Sequence, residues 1–152
     1  MIPITSTFAL PLTLYYTLLQ VRVISARISS KQSLAQSSPQ PAIKGDDNGS
    51  ESPSDPLLTA TRCQSNFSEN VPLALLLAGF VEANGGNRKA LITALGMLTV
   101  ARVMHVEMGL MVEGGKHPHT GIGRPVGFFG TVGVVVGLAG YGAWLGRGVW
   151  GF

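Results

Sequence analysis

The chain has 152 residues, one domain's worth, with 12% charged residues and a mean hydropathy of +0.31. A soluble domain carries about 25% charged residues, so this chain is too poor in charge to cover a water-facing surface, and lipid is the expected solvent. The net charge of +3 comes without a basic stripe interleaved with aromatics, which argues against nucleic acid. The lone cysteine, Cys63, excludes an intrachain disulfide framework.

The first apolar run, Ile2 to Val21, closes on Arg22 and Arg27. About 20 residues at 1.5 Å each cross a hydrocarbon core, which predicts a helix over 4–24. Nothing charged precedes Arg22, so the run lacks the positive leading region of a signal peptide and reads as an uncleaved span. Ser29 to Asp55 is rich in Ser, Pro, Gln, Gly and Asp, and is expected to be a disordered polar loop. Asp55-Pro56 then offers an N-cap followed by proline at the first helical position, and Asn84-Gly85-Gly86 offers a stop, giving a helix over 56–83. A third helix is predicted over 88–112, ending before Gly114-Gly115 and the loop that holds Lys116, His117 and His119.

The fourth is predicted over 123–146, with Trp144, Trp150 and Phe152 as interfacial anchors. Gly123, Gly127, Gly130, Gly133, Gly137 and Gly140 stripe one of its faces, and small residues at such steps let helices in lipid pack closely. The expected fold is all-α and integral to a membrane, a bundle of four transmembrane helices. The first and third loops hold Arg22, Arg27, Lys31, Lys44, Lys116 and Arg124, against Arg88, Lys89 and Arg147 on the other side. That bias predicts cytoplasmic first and third loops and both termini on the opposite face.

Ionisable residues at membrane depth are expensive and usually functional. Arg62, Asn66 and Glu69 are spaced to share one face of the second helix. Arg62 and Glu69 lie about 10 Å apart along the axis, too far for a simple pair, with Asn66 between them able to donate and accept. Arg102 and His105 share a face near the end of the third helix, Arg22 ends the first and Arg124 begins the fourth. Four arginines, a histidine and one carboxylate thus gather at one depth. The set suits an anionic ligand that carries an amine, the arginines taking carboxylates and Glu69 the ammonium. The competing reading is an internal ion network, which a Glu69–Arg102 pair alone would satisfy; the surplus of positive charge favours a ligand. Cys63 sits about 100° from the polar face and reads as a small buried apolar residue. His117 and His119 lack the further ligands a metal needs, so no metal site is expected. Glu82 reads as interfacial, and Glu107 has no visible partner.

Arg62-x-x-x-Asn66-x-x-Glu69-x-x-Pro72, entering a leucine-rich helix, resembles the signature of the MAPEG family, membrane-associated proteins in eicosanoid and glutathione metabolism. Gln20-Val21-Arg22, Arg102-Val103-Met104-His105 and the arginine opening the fourth helix resemble it too, so the likeness runs through nearly the whole chain except the 29–55 loop. The resemblance implies a homotrimer with glutathione bound between neighbouring subunits on the cytoplasmic side. By position it assigns glutathione contacts to Arg22, Arg62, Asn66, Glu69, His105 and Arg124, with Arg102 grouped beside them. It implies glutathione conjugation, peroxide reduction or isomerisation of lipid mediators, or else lipid binding without catalysis, and, in a eukaryotic cell, the endoplasmic reticulum.

Glutathione's own thiolate would be the nucleophile, Arg124 the candidate cation that stabilises it, and the second substrate an apolar or lipid-derived electrophile or peroxide. The chain departs from the better-known pattern in its long first loop, in Gln64 and Ser65, in Glu107 and Gly109 where a tyrosine would follow His105, and in the absence of a hydroxyl after Arg124. These features resemble a less characterised, bacterial-like branch. The leading expectation is a glutathione-dependent membrane enzyme, and the alternative is a non-catalytic lipid-binding or scaffold protein of the same fold. A transporter or channel subunit is less supported, since neither internal repeats nor broken helices are apparent.

Overall fold

The computed structural model describes residues 1–29, 56–110 and 123–149, all of it helical apart from turns and termini. In chain order the elements are α1 (Pro3–Ser29), α2 (Pro56–Ala83), α3 (Arg88–Met104), a π-helical segment (His105–Leu110), α4 (Gly123–Gly146) and a 3-10 turn (Arg147–Val149). The loop predicted over 29–55 beyond Ser29, the histidine pair at 117 and 119, and the aromatics at 150 and 152 lie outside the described residues.

Several helix ends have a visible physical cause. Pro3 stands at the first position of α1, where no backbone donor is missed. That helix has no acid in its first turn, and its free N–H groups are met instead from the far end of α2. Glu82 accepts from the amides of Ile4 at 2.7 Å and Thr5 at 2.8 Å, and from the Thr5 hydroxyl at 2.7 Å. Glu82 is therefore a cap on another helix, and not merely an interfacial charge as expected. At its other end α1 runs to Ser29, past the predicted stop at 24, with Arg27 in the last turn complementing the negative helix end.

Asn84-Gly85-Gly86 closes α2 as a Schellman turn: Gly86 N–H donates to Val81 O at 2.9 Å and Gly85 N–H to Glu82 O at 3.1 Å. Gly85 takes φ 76°, a conformation that glycine enters freely. Asn87 then caps α3, its side-chain oxygen accepting from Lys89 N–H at 2.9 Å and Ala90 N–H at 3.3 Å.

The third helix departs from its predicted 88–112 course. Its α-geometry stops at Met104, and His105–Leu110 winds as a π-helix. The change coincides with the closest approach of α4. A Cβ on Gly123 would lie 2.6 Å from Met104 O, and one on Gly127 would lie 2.8 Å from Ala101 O and strike the His105 side chain. The glycine stripe therefore splits in two. Gly123 and Gly127 do the packing expected of them, whereas Gly133, Gly137 and Gly140 face open space.

α1 lies mainly against α2, and α3 mainly against α4, with α2 also packed on α4. The seam on α2 is Cys63, Phe67, Val71, Ala74, Ala78 and Val81, at steps of four or three, all buried. Leu91, Leu95 and Leu98 give α3 the same rhythm, and Leu12 and Leu19 give it to α1. The opposite faces stay apolar: Leu10, Leu14, Phe80, Met97, Phe129 and Val136 are exposed. So broad an apolar exterior is incompatible with water and suits lipid.

Among the described residues, three helices are long and apolar enough to cross a membrane: Pro3–Ser29, Arg88–Gly109 and Gly123–Gly146. Of the four expected helices, α2 alone falls short of that apolarity. α2 is long enough at 28 residues, but Arg62, Gln64, Ser65, Asn66, Ser68, Glu69 and Asn70 make its first half too polar to qualify by apolarity. The bundle itself has four helices, with α2 shielded on one side by α1 and on the other by α4.

Candidate functional site

The polar half of α2 faces the start of α4 across the π-helical segment. Spacings of three and four bring Arg62, Ser65, Asn66 and Glu69 onto one face, the π-segment adds His105, and α4 adds Arg124 one residue from its start. These six side chains line a cleft of about 340 Å³. Five of the seven residues expected at a site are therefore brought together: Arg62, Asn66, Glu69, His105 and Arg124. Ser65 is an addition. Its place three residues after Arg62 and four before Glu69 was the available signal.

Arg62, Glu69 and Arg124 are exposed, Asn66 is half-buried and His105 is 7% exposed. Arg62 and Glu69 make no hydrogen bond or ion pair among the described residues. His105 Nδ1 lies 3.1 Å from Arg124 O. A carbonyl only accepts, so Nδ1 carries the proton there, and in the neutral ring Nε2 is then the acceptor. Close packing holds this geometry, since Gly127 lets α4 sit against His105, and a Cβ on Gly109 would lie 3.0 Å from Arg124 N.

Two expected ligand residues stand elsewhere. Arg22 does not line the cleft: its Nη1 meets Glu107 Oε1 at 2.7 Å and its Nη2 donates to Oε2 at 3.4 Å, while the Tyr15 hydroxyl donates to Oε1 at 2.9 Å. This supplies the partner that Glu107 lacked in the sequence and removes one arginine from the positive surplus. His105 and Glu107, two residues apart, face away from each other, one to the cleft and one to α1. Arg102 is 2% exposed and lies behind the cleft wall. It donates to Asn66 Oδ1 at 2.6 Å and to Gly127 O at 2.9 Å, so the Glu69–Arg102 pair considered from sequence does not form.

Cys63 is fully buried on the core side of α2 and offers no thiol to the cleft. Among the described residues, no three His, Cys, Asp or Glu side chains gather as metal ligands. Two apolar grooves flank the bundle. One of about 290 Å³ runs between α1 and α2 along Leu12, Tyr16, Phe67, Val71 and Leu75. The other, of about 580 Å³, runs between α3 and α4 over Gly130, Gly133 and Gly137, with Met97, Phe129 and Tyr141 as its walls.

Arginines, an amide, a carboxylate and an oriented imidazole line this cleft, set in an apolar exterior. No curated protein and no solved structure matches this chain. The family model described as MAPEG family matches residues 5–144, which include every helix that builds the cleft. With that match and three described helices long and apolar enough to cross a membrane, this is an integral membrane protein that belongs to the MAPEG family, whose members act in glutathione-related or eicosanoid metabolism.

Proposed function

We propose that the protein is a glutathione-dependent membrane enzyme, conjugating glutathione to apolar electrophiles or reducing lipid peroxides. The observation that carries this is the cleft itself: Arg62, Asn66, Glu69, His105 and Arg124 converge from three elements on one space of about 340 Å³. Glutathione has two carboxylates and one ammonium, matching guanidinium groups and one carboxylate. Arg124 is the proposed catalytic group, since a cation beside a thiol lowers its pKa and raises the thiolate fraction at neutral pH. In conjugation the thiolate sulfur bonds to the electrophilic carbon as the leaving group departs or an epoxide opens. In peroxide reduction two glutathiones are oxidised to their disulfide while the hydroperoxide becomes an alcohol and water.

The apolar grooves support a second substrate that arrives from the bilayer. Arg62, Glu69 and Arg124 are exposed in the single chain, which supports a site completed by a neighbouring copy in a homotrimer. In a eukaryotic cell the proposed membrane is that of the endoplasmic reticulum.

One observation favours a second reading, a non-catalytic lipid-binding or scaffold protein. Gly109 stands where a hydroxyl-bearing side chain would be expected after His105, and it is pressed against the Arg124 backbone. Calorimetry on detergent-purified protein separates the two. Enzyme predicts glutathione binding, with thiolate absorbance that disappears in Arg124→Ala. No binding at millimolar glutathione would give the scaffold first place.

A further inference from the structure

Arg102 is buried to 2% exposure, and among the described residues no carboxylate touches it. Its Nη1 donates to Asn66 Oδ1 at 2.6 Å, its Nη2 donates to Gly127 O at 2.9 Å, and its Nε is buried without a partner. A guanidinium donates through every nitrogen and accepts through none. The Asn66 atom that meets it must therefore be the oxygen, whichever way the amide is drawn. The remaining polar atom of the side chain is Nδ2, with two hydrogens and no partner among the described residues, on a residue that lines the cleft.

We infer that Arg102 is a positioning residue that makes Asn66 an obligate hydrogen-bond donor to the cleft, so that the ligand presents an acceptor oxygen there, a carboxylate or an amide carbonyl. Without Arg102 the Asn66 amide could turn over and offer oxygen or nitrogen alike. With it, one orientation survives. The buried charge also polarises the amide it holds, which strengthens the outward N–H groups. Asn66 thus relays a positive charge that never reaches the ligand itself. A ligand that offered a donor at this point would meet N–H against N–H, so the pair discriminates as well as binds. The inference rests on the glutathione reading for its probe, because glutathione supplies both kinds of acceptor oxygen.

Asn66→Asp tests it, because the substitution moves two readouts in opposite directions. The buried guanidinium gains a carboxylate, and the melting temperature should rise by roughly 3–5 °C. The cleft loses its donor, gains an oxygen that repels the ligand, and should bind reduced glutathione about 10- to 100-fold more weakly. In an Arg102→Met background the rise in melting temperature should vanish. Arg102→Lys, which keeps a donor for Asn66, should bind glutathione better than Arg102→Met. Wild-type affinity in Asn66→Asp would overturn the donor assignment. A melting shift independent of Arg102 would overturn the positioning role. If the wild-type protein failed to bind glutathione while the melts of the two sites stayed coupled, the glutathione reading and its acceptor oxygen would fall and the Arg102–Asn66 contact would stand.

Discussion

The two ends of the bundle use polar side chains in opposite ways. At the end where α1 starts and α2 stops, the polar groups close the fold: Glu82 caps α1, Asn87 caps α3, and the Tyr141 hydroxyl accepts from the Asn87 amide at 2.7 Å. At the other end some polar groups also serve the fold, as Arg22 with Glu107 and Arg102 with Asn66 do. Yet Arg62 and Glu69 stand exposed without a described bond, facing a cleft. Polar groups within a membrane protein are costly unless satisfied; Arg88 and Lys89 are exposed at the first end too, so what sets the second end apart is that its open charges line a cleft.

The contrast can be broken most sharply at the cleft. Arg62→Ala combined with Glu69→Gln should weaken glutathione binding by about 100-fold, as loss of charged hydrogen bonds does, and leave the melting temperature within about 1 °C. A large fall in melting temperature would show that these residues hold the fold together after all. Glu82→Ala should do the reverse. Losing three hydrogen bonds at a helix start should destabilise by about 1–2 kcal/mol, read as a lower melting temperature, with glutathione affinity unchanged by calorimetry.

The smallest effects sharpen the division within α4. Gly127→Ala should destabilise by about 1 kcal/mol or more, because its Cβ would enter His105 and the Ala101 carbonyl. Gly137→Ala, in open space, should stabilise by about 0.5 kcal/mol through helix propensity alone. Melts of the two alanines in one detergent check the sign of each.

What could be read from the sequence was local. Arg62, Asn66 and Glu69 follow from helical spacing, and the end of α2 follows from Asn84-Gly85-Gly86. The half of the glycine stripe that packs was equally visible, though nothing in the pattern said it would stop at Gly130. What could not be read was partnership over distance. Glu107 finds Arg22 across 85 positions, and Glu82 finds Thr5 across 77. No periodicity within one helix reveals either. The π-helical turn escaped for a related reason: it is seen where α4 meets His105 and Met104, and nothing in His105–Leu110 by itself departs from a helix-forming sequence. Such distant partners also explain why Arg22, held by Glu107, and Arg102, held by Asn66 and Gly127, stand outside the lining of the cleft while the α2 face is intact.

Cys63 follows Arg62 directly yet is turned wholly into the core. A protein that hands activated sulfur to oxidants runs the risk of trapping that sulfur on itself as a mixed disulfide. The sole thiol of the chain is walled off by helix packing from the space beside it, so under the proposed peroxide reduction a disulfide formed during turnover would leave with the tripeptide and the protein would be spared self-inactivation.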